Sequence, residues 1–176
     1  MDLGRFDDYR VAALSHEDAQ ALRAMQPGDL GMSRGEWLFA LGGEEAFVAA
    51  ALAGQVEGRE LRAGVWQGVH LVGVIGLKQD DRGSASISYA LDARHRGQGI
   101  MTRACRILID HGFRTQRLER IVIIADPGNQ PSCAIAQRLG FAHMEVLKDL
   151  YRSVDGLHDG IKYVLTARAW AAWPKS

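Results

Sequence analysis

Cysteine is scarce. Only Cys105 and Cys133 occur in the 176 residues, which is too few for a disulfide framework and at no usual metal-ligand spacing. No metal site is therefore expected. An excess of either charge is also missing, since Lys plus Arg number 21 and Asp plus Glu number 21. A chain without a net field has nothing global with which to recruit nucleic acid or anionic lipid. No apolar run approaches the length of a membrane span. Met1-Asp2-Leu3-Gly4-Arg5 lacks the apolar core of an export signal. The expectation is a cytoplasmic protein that engages neither membrane nor nucleic acid. Two phosphate-binding signatures are absent too. There is no Gly-x-x-x-x-Gly-Lys-Ser/Thr, and where a dinucleotide fingerprint needs a third glycine, three residues after Gly99, Thr102 stands instead.

The residues present describe an ordinary globule, 47% hydrophobic and 24% charged. Its length fits one domain, residues 1–176, with a core of its own. The neutral charge is unevenly spread. Arg94, Arg96, Arg103, Arg106, Arg114, Arg117 and Arg120 crowd one stretch, offset by Asp92, Asp110 and Glu119. One basic neighbourhood on a neutral chain fits a small polyanion better than a duplex.

At the head of that stretch lies Arg94-His95-Arg96-Gly97-Gln98-Gly99-Ile100. It follows the alternating run Ile87 to Leu91 and opens an apolar-striped run of Ile100, Ala104, Ile107 and Leu108. The order is strand, glycine loop, helix. Such a loop aims unpaired N–H groups at one point, and the positive end of the helix dipole reinforces them. Gly97 and Gly99 allow φ > 0 and a close ligand approach. Arg94 and Arg96 add charge. The chemistry is that of a pyrophosphate cradle, although the same residues would also serve as a tight turn with solvated arginines.

Along the chain, Tyr9–Leu14 reads as the first strand. Ser15 and Asp18 have capping-box spacing before a helix with Ala19, Leu22 and Met25 on its apolar face, ended by Pro27-Gly28. A second helix is expected over Glu36–Leu52, interruptible at Gly42-Gly43. Its aromatic residues Trp37, Phe39 and Phe47 read as core. Leu61–Trp66 and Val69–Lys78 form a hairpin about Gln67-Gly68, and Ser84–Leu91 is the strand feeding the glycine loop. The loop helix covers Ile100–Arg114. Ile121–Ala125 is wholly apolar and should be a strand covered on both faces. Pro131 suits the first turn of the next helix and Gly140 its stop. Ala142–Asp149 and Leu157–Thr166 close the chain as a hairpin around Val154-Asp155-Gly156, and a tail with Trp170 and Trp173 docks on the surface.

Arg94-x-x-Gly97-x-Gly99-Ile100 is followed, thirty residues after Gly99, by Asn129-x-x-Ser132-x-x-x-Ala136 and then Leu139-Gly140-Phe141. Together with the closing Gly156-x-His158-Asp159-x-x-x-Tyr163, this pattern resembles the GCN5-related N-acetyltransferases (GNAT), in the branch that acetylates N-terminal amines of ribosomal proteins. The resemblance is good over Leu71–Tyr163 and extends to the first 60 residues only through element order. It implies an α/β (α+β) GNAT fold: a central mixed, mostly antiparallel sheet of about seven strands, helices on both faces, and a splayed cleft for acetyl-CoA.

What the resemblance implies for individual residues is as follows. Backbone N–H groups from Arg96 through Gly97, Gln98, Gly99 and Ile100 to Met101 would hold the pyrophosphate of acetyl-CoA, beside Arg94. Tyr89, Ala90 and Leu91 would pair with the pantetheine amides as a neighbouring strand does. Asn129 would bond the pantetheine arm, and Ser132 would protonate the departing thiolate. An amine would attack the thioester directly. Asn129 is the sole asparagine, and a plain helix cap is its alternative role; Ser132 could likewise be an ordinary first-turn residue. Cys133 reads as packing, because no histidine lies nearby in sequence to activate it. Relatives of this branch often carry Glu where Tyr151 stands. The proton acceptor is thus open among Asp149, Glu145, Tyr151 itself, a carboxylate from elsewhere in the chain and a water chain, and His70 and His158 read as structural. The partners expected are acetyl-CoA and an amine acceptor, such as the N-terminus of a ribosomal or other protein, with the chain a monomer or homodimer. A non-catalytic acyl-CoA-binding module and a transferase using another donor, such as succinyl-CoA, are the alternatives.

Overall fold

The computed structural model describes residues 1–25, 43–153 and 156–174. In chain order these give β1 (Asp2–Phe6), β2 (Tyr9–Ala13), a 3-10 turn (His16–Asp18), α1 (Ala19–Ala24), α2 (Glu44–Val56), β3 (Glu60–Gln67), β4 (His70–Gln79) and β5 (Ser84–Leu91). A second 3-10 turn (Ala93–His95) precedes α3 (Ile100–Thr115), followed by β6 (Arg120–Ala125), α4 (Gln130–Arg138), β7 (Ala142–Ser153), β8 (Gly156–Thr166) and α5 (Ala167–Ala171).

All eight strands join one sheet in the order β1-β2-β3-β4-β5-β6-β8-β7. Among the described residues the one parallel pair is β5 with β6; the other neighbours are antiparallel. The sheet has one strand more than the sequence reading expected. The addition is β1, an edge strand whose residues are exposed or half-buried and carry no alternation to betray it.

Strand side chains alternate between faces, and here each face meets its own helices. Val11, Val65, Ile75 and Ile87 lie in a cluster with Ile100, Leu108, Ile109 and Ala136 of α3 and α4. Ala12, Trp66, Val74 and Ala90 lie in a second cluster with Leu22 of α1 and Phe47 and Val48 of α2. The spacing of α3 explains its place. Ile100, Met101, Ala104, Cys105, Leu108, Ile109, Gly112 and Phe113 are buried along one stripe. Leu108 and Ile109 are fully covered, each worth about 2 kcal/mol of apolar transfer. The thiols of Cys105 and Cys133 are both free and buried, and burial raises the Cys105 pKa.

Local signals account for most element ends. The Ser15 N–H donates to Asp18 Oδ2 at 2.7 Å, so the capping box forms, although it opens a 3-10 turn first. Within the helix expected over Glu36–Leu52, the described part begins at Glu44 and runs on to Val56. Gly43, at φ 104°, is its N-cap; residues 36–42, with Trp37 and Phe39, lie outside the described residues, as do Pro27-Gly28. Gly140, at φ 71°, follows the last turn of α4. The tail docks as expected: Trp170 stacks on Phe113 with ring centroids 5.1 Å apart, and its indole N–H donates to Asp110 at 2.5 Å. Among the described residues no helix is long and apolar enough to cross a membrane.

Candidate functional site

The site begins where the sheet comes apart. β5 and β6 pair only at Ser84–Arg120, Ala85–Ile121 and Ser86–Val122. Past that point β5 stays bonded to β4 as far as Leu91, and β6 stays bonded to β8 as far as Ala125. A cleft of about 580 Å³ opens between them, within the range of small-molecule sites. Its walls are Ile87 to Leu91 on one side and Ile123 to Asp126 on the other, and its ends are the N-termini of α3 and α4. The expectation that Ile121–Ala125 would be covered on both faces is corrected here. Ile124 is 37% exposed and lines the cleft. The apolar run is a wall as well as core.

At the α3 end, Gly97 (φ 75°) and Gly99 (φ 74°) both take the left-handed conformation. Gly99 is the N-cap of α3. A Cβ built on either would meet nothing within 4 Å, so the space above the loop is open for a ligand. Arg96, Gly97, Gly99, Ile100 and Met101 line the cleft, as do Tyr89, Ala90 and Leu91. Arg94 and Gln98 are placed differently. Arg94 grips Asp92, a carboxylate only 1% exposed, with Nε at 3.0 Å and Nη2 at 2.8 Å, while its backbone N–H donates to the same side chain at 2.9 Å. That ion pair raises the Arg94 pKa further. Gln98 donates to the Arg94 carbonyl at 3.4 Å. These two side chains tie the loop down, and neither is part of the cleft lining. Asp92 was legible only as a charge in a basic stretch.

At the α4 end, Asn129 Oδ1 accepts the Ser132 N–H at 3.1 Å, so it does cap the helix, and it lines the cleft as well. Both readings of Asn129 are compatible, because capping uses the oxygen and leaves the amide nitrogen as a donor. Ser132 also lines the cleft. Its Oγ lies 2.7 Å from the Tyr89 hydroxyl. Burial, the largest influence, pushes the Tyr89 phenol pKa well above its ordinary value, while the hydrogen bond with Ser132 opposes it.

Asp149 sits elsewhere. It is exposed, at φ 52°, within the irregularity of β7 between Leu147 and Tyr151, and outside the cleft lining. Its N–H donates to Asp159 at 3.1 Å. The backbone of Tyr151 pairs with His158; its side chain lies outside the described residues. The carboxylate that does line the cleft is Asp126, which the sequence analysis does not single out. Its Oδ1 accepts the Gly128 N–H at 2.6 Å, and its Oδ2 is 3.5 Å from His158 Nδ1. Only the Asp-Pro-Gly turn signalled it. Among the described residues no three His, Cys, Asp or Glu side chains gather as a metal-holding group.

A parted parallel pair of strands, with a glycine loop on one helix N-terminus and an Asn–Ser turn on the next, is the arrangement expected of the resemblance. Comparison with known proteins agrees. The profile of the acetyltransferase (GNAT) domain matches residues 10–142. The Bacillus subtilis protein YdaF, whose name carries a provisional ribosomal N-acetyltransferase assignment, is 37% identical over 114 residues, 62% of this chain and 61% of that one. A ribosomal-protein-serine acetyltransferase of Escherichia coli is 36% identical over 93 residues, 48% of this chain and 52% of that one. The chain thus aligns with between half and about three fifths of each relative's length. In fold, Mycobacterium smegmatis RimJ in complex with a CoA disulfide superposes with a TM-score of 0.80, 22% identity and coverage of 96% of this chain and 85% of that one. Residues 10–142 alone are three quarters of the sequence, and the chain belongs to the acetyltransferase (GNAT) domain family.

Proposed function

We propose that the chain is a single-domain N-acyltransferase that moves an acetyl group from acetyl-CoA to a primary amine. The observation that carries this reading is the cleft between β5 and β6, open beyond Ser86 and Val122 and headed by the Gly97–Gly99 loop. The free edge of β5 at Tyr89 to Leu91 offers backbone groups to the pantetheine amides, in place of the strand that has left. The N–H groups of the loop and Arg96 meet the pyrophosphate, and the open space over both glycines suits an approach of phosphate to backbone. The Asn129 amide nitrogen bonds the pantetheine arm.

In this reading the protein supplies position first, since holding amine and thioester together removes much of the entropic barrier. An incoming amine is protonated at neutral pH and must lose a proton before attack. Asp126, in the lining and paired with His158, is the acceptor that the described residues offer. Nitrogen then bonds to the carbonyl carbon, the C–S bond breaks with its electron pair going to sulfur, and the proton shed by the acylated nitrogen makes the thiol. Ser132 gives the developing thiolate a hydrogen bond. Protein N-termini are the first acceptors to test, because two matched relatives bear names that concern ribosomal proteins.

Calorimetric titration with acetyl-CoA, followed by thiol release over N-terminal peptides, polyamines and amino acids, is the test. Binding with release for one amine class supports the transferase. Binding without release for any amine moves the reading to an acyl-CoA-binding module, and release with succinyl-CoA alone moves it to another donor. Absence of binding refutes it.

A further inference from the structure

The Tyr89 hydroxyl has two oxygens of one residue in reach, Ser132 Oγ at 2.7 Å and the Ser132 carbonyl at 3.4 Å. Tyr89 comes from β5 and Ser132 from the first turn of α4, so the contact joins one wall of the cleft to the end that α4 forms. Sequence reasoning gave Tyr89 a backbone role only. Because burial keeps the phenol protonated, it always has one proton to donate, and two arrangements of the pair exist. In one, Ser132 donates to the phenol oxygen while the phenol donates weakly to the Ser132 carbonyl. In the other, the phenol donates to Ser132 Oγ at the short distance, and the Ser132 proton is turned outward into the cleft. The first satisfies both hydroxyls internally. The second gains only when something negative lies in front of Ser132.

We propose that Tyr89 is a positioning residue for acyl transfer, whose hydroxyl holds Ser132 Oγ and releases the Ser132 proton toward the leaving sulfur as the C–S bond breaks. This inference rests on the acyl-CoA reading of the cleft. A donor to Ser132 Oγ makes the serine a stronger donor in turn. The bond to sulfur forms in the transition state and not with the bound thioester, which is the condition for raising turnover without tightening binding. The electron pair of the broken bond stays on sulfur, and its proton comes from the acylated nitrogen. Tyr89 and Ser132 each end the cycle with the proton they began with.

The test uses Tyr89→Phe, Ser132→Ala, Ser132→Thr and the Tyr89→Phe/Ser132→Ala double variant. The donor is acetyl-CoA, and the acceptor is the peptide or polyamine that the wild-type chain acetylates fastest. Losing one neutral hydrogen bond predicts a fall in kcat of roughly ten-fold for Tyr89→Phe. KM for acetyl-CoA and the calorimetric Kd for CoA should stay at wild-type values. Ser132→Ala should fall at least as far, the double variant should be no slower than Ser132→Ala alone, and Ser132→Thr should retain most of the rate. A Tyr89→Phe variant with wild-type kcat overturns the proposal. So do multiplicative losses in the double variant, because they mean that the phenol acts independently of Ser132. A loss confined to KM or Kd assigns Tyr89 to the shape of the cleft and also overturns it. A wild-type chain that binds no CoA overturns this inference and the function together, whereas the other outcomes leave the transferase standing.

Discussion

Replacing Gly99 by Asp and by Asn tests the loop with one variable. The two side chains share a shape and differ by a charge. Gly99 sits at φ 74°, ψ 1°, a left-handed conformation that costs an ordinary L-residue about 1–2 kcal/mol and Asn or Asp somewhat less. A Cβ there meets nothing within 4 Å, so no steric cost is added. Each variant should therefore lose about 1 kcal/mol of stability, or roughly 2–4 °C in Tm for a chain of this size. Gly99→Asp should be the slightly more stable of the two, since an anion is favoured at a helix N-terminus. Binding should separate them in the opposite sense. A carboxylate about 5 Å from the two charges of a pyrophosphate costs roughly 1.5–3 kcal/mol at effective dielectric constants of about 80 to 40. That is a loss in CoA affinity of about ten- to two-hundred-fold relative to Gly99→Asn. Calorimetric titration of both variants with CoA, at two ionic strengths, reads the difference, and added salt should narrow it. Equal affinities for Asp and Asn would refute the placement of the pyrophosphate at this loop. A difference that ignores salt would refute its electrostatic origin.

Three further outcomes are expected. Gly112→Ala in α3 gains about 1 kcal/mol of helix propensity. Its Cβ, however, would lie 2.9 Å from Leu77 Cδ2, 3.1 Å from Leu118 Cδ1 and 3.3 Å from Ile121 Cδ1, an overpacking worth about 1–3 kcal/mol; a net loss of about 1 kcal/mol in urea unfolding is the prediction, and a gain would contradict tight packing of α3 on the sheet. Asp126→Asn keeps the turn but removes the proposed proton acceptor, so its deficit in kcat/KM should be greatest at low pH and shrink as the amine deprotonates unaided; a pH-independent deficit would return Asp126 to the turn alone. Asp159 is held below the usual carboxylate range by a hydrogen bond from Lys148 and by the Asp149 N–H. Its folded pKa is the lower one, so its stabilisation is present above the unfolded value of about 3.9 and is lost as pH falls through the folded value. Asp159→Asn should lower Tm at pH 7 and differ little from wild type near pH 2, and an equal deficit at both pH values would count against the linkage.

The glycine loop, the strand before it and the helix after it could be read from residues alone, because each boundary carries its own local signal. Ser84–Leu91 alternates, Gly97 and Gly99 need positive φ, and α3 shows an uninterrupted stripe. β1 was not legible, since an edge strand buries too little to impose a pattern. The site was half legible for a related reason. Backbone roles follow from local motifs, so Gly97, Gly99 and Asn129 could be found in order along the chain. Side-chain partnerships depend on where separate elements meet. Tyr89 and Ser132 are 43 residues apart, and His158 reaches Asp126 from another strand; no spacing announces either pair. Arg94 shows the converse: a partnership that the sequence does not announce. An arginine beside a glycine loop suggests a phosphate ligand, yet a buried carboxylate two residues away takes it first.

Three residue pairs hold β5 to β6, so the sheet is two half-sheets that share a short seam, with α3 laid across the core beneath both. An occupant of the cleft would lie along the open part of that seam and take the place of the missing strand contacts. It would join the halves as well as rest on them. With so few pairs along this seam, opening of a ligand-free chain is expected to begin there before the helices loosen. On the proposed function, ligand concentration would then become a component of the protein's own cohesion through mass action, so the stability of the chain would rise and fall with the supply of its ligand.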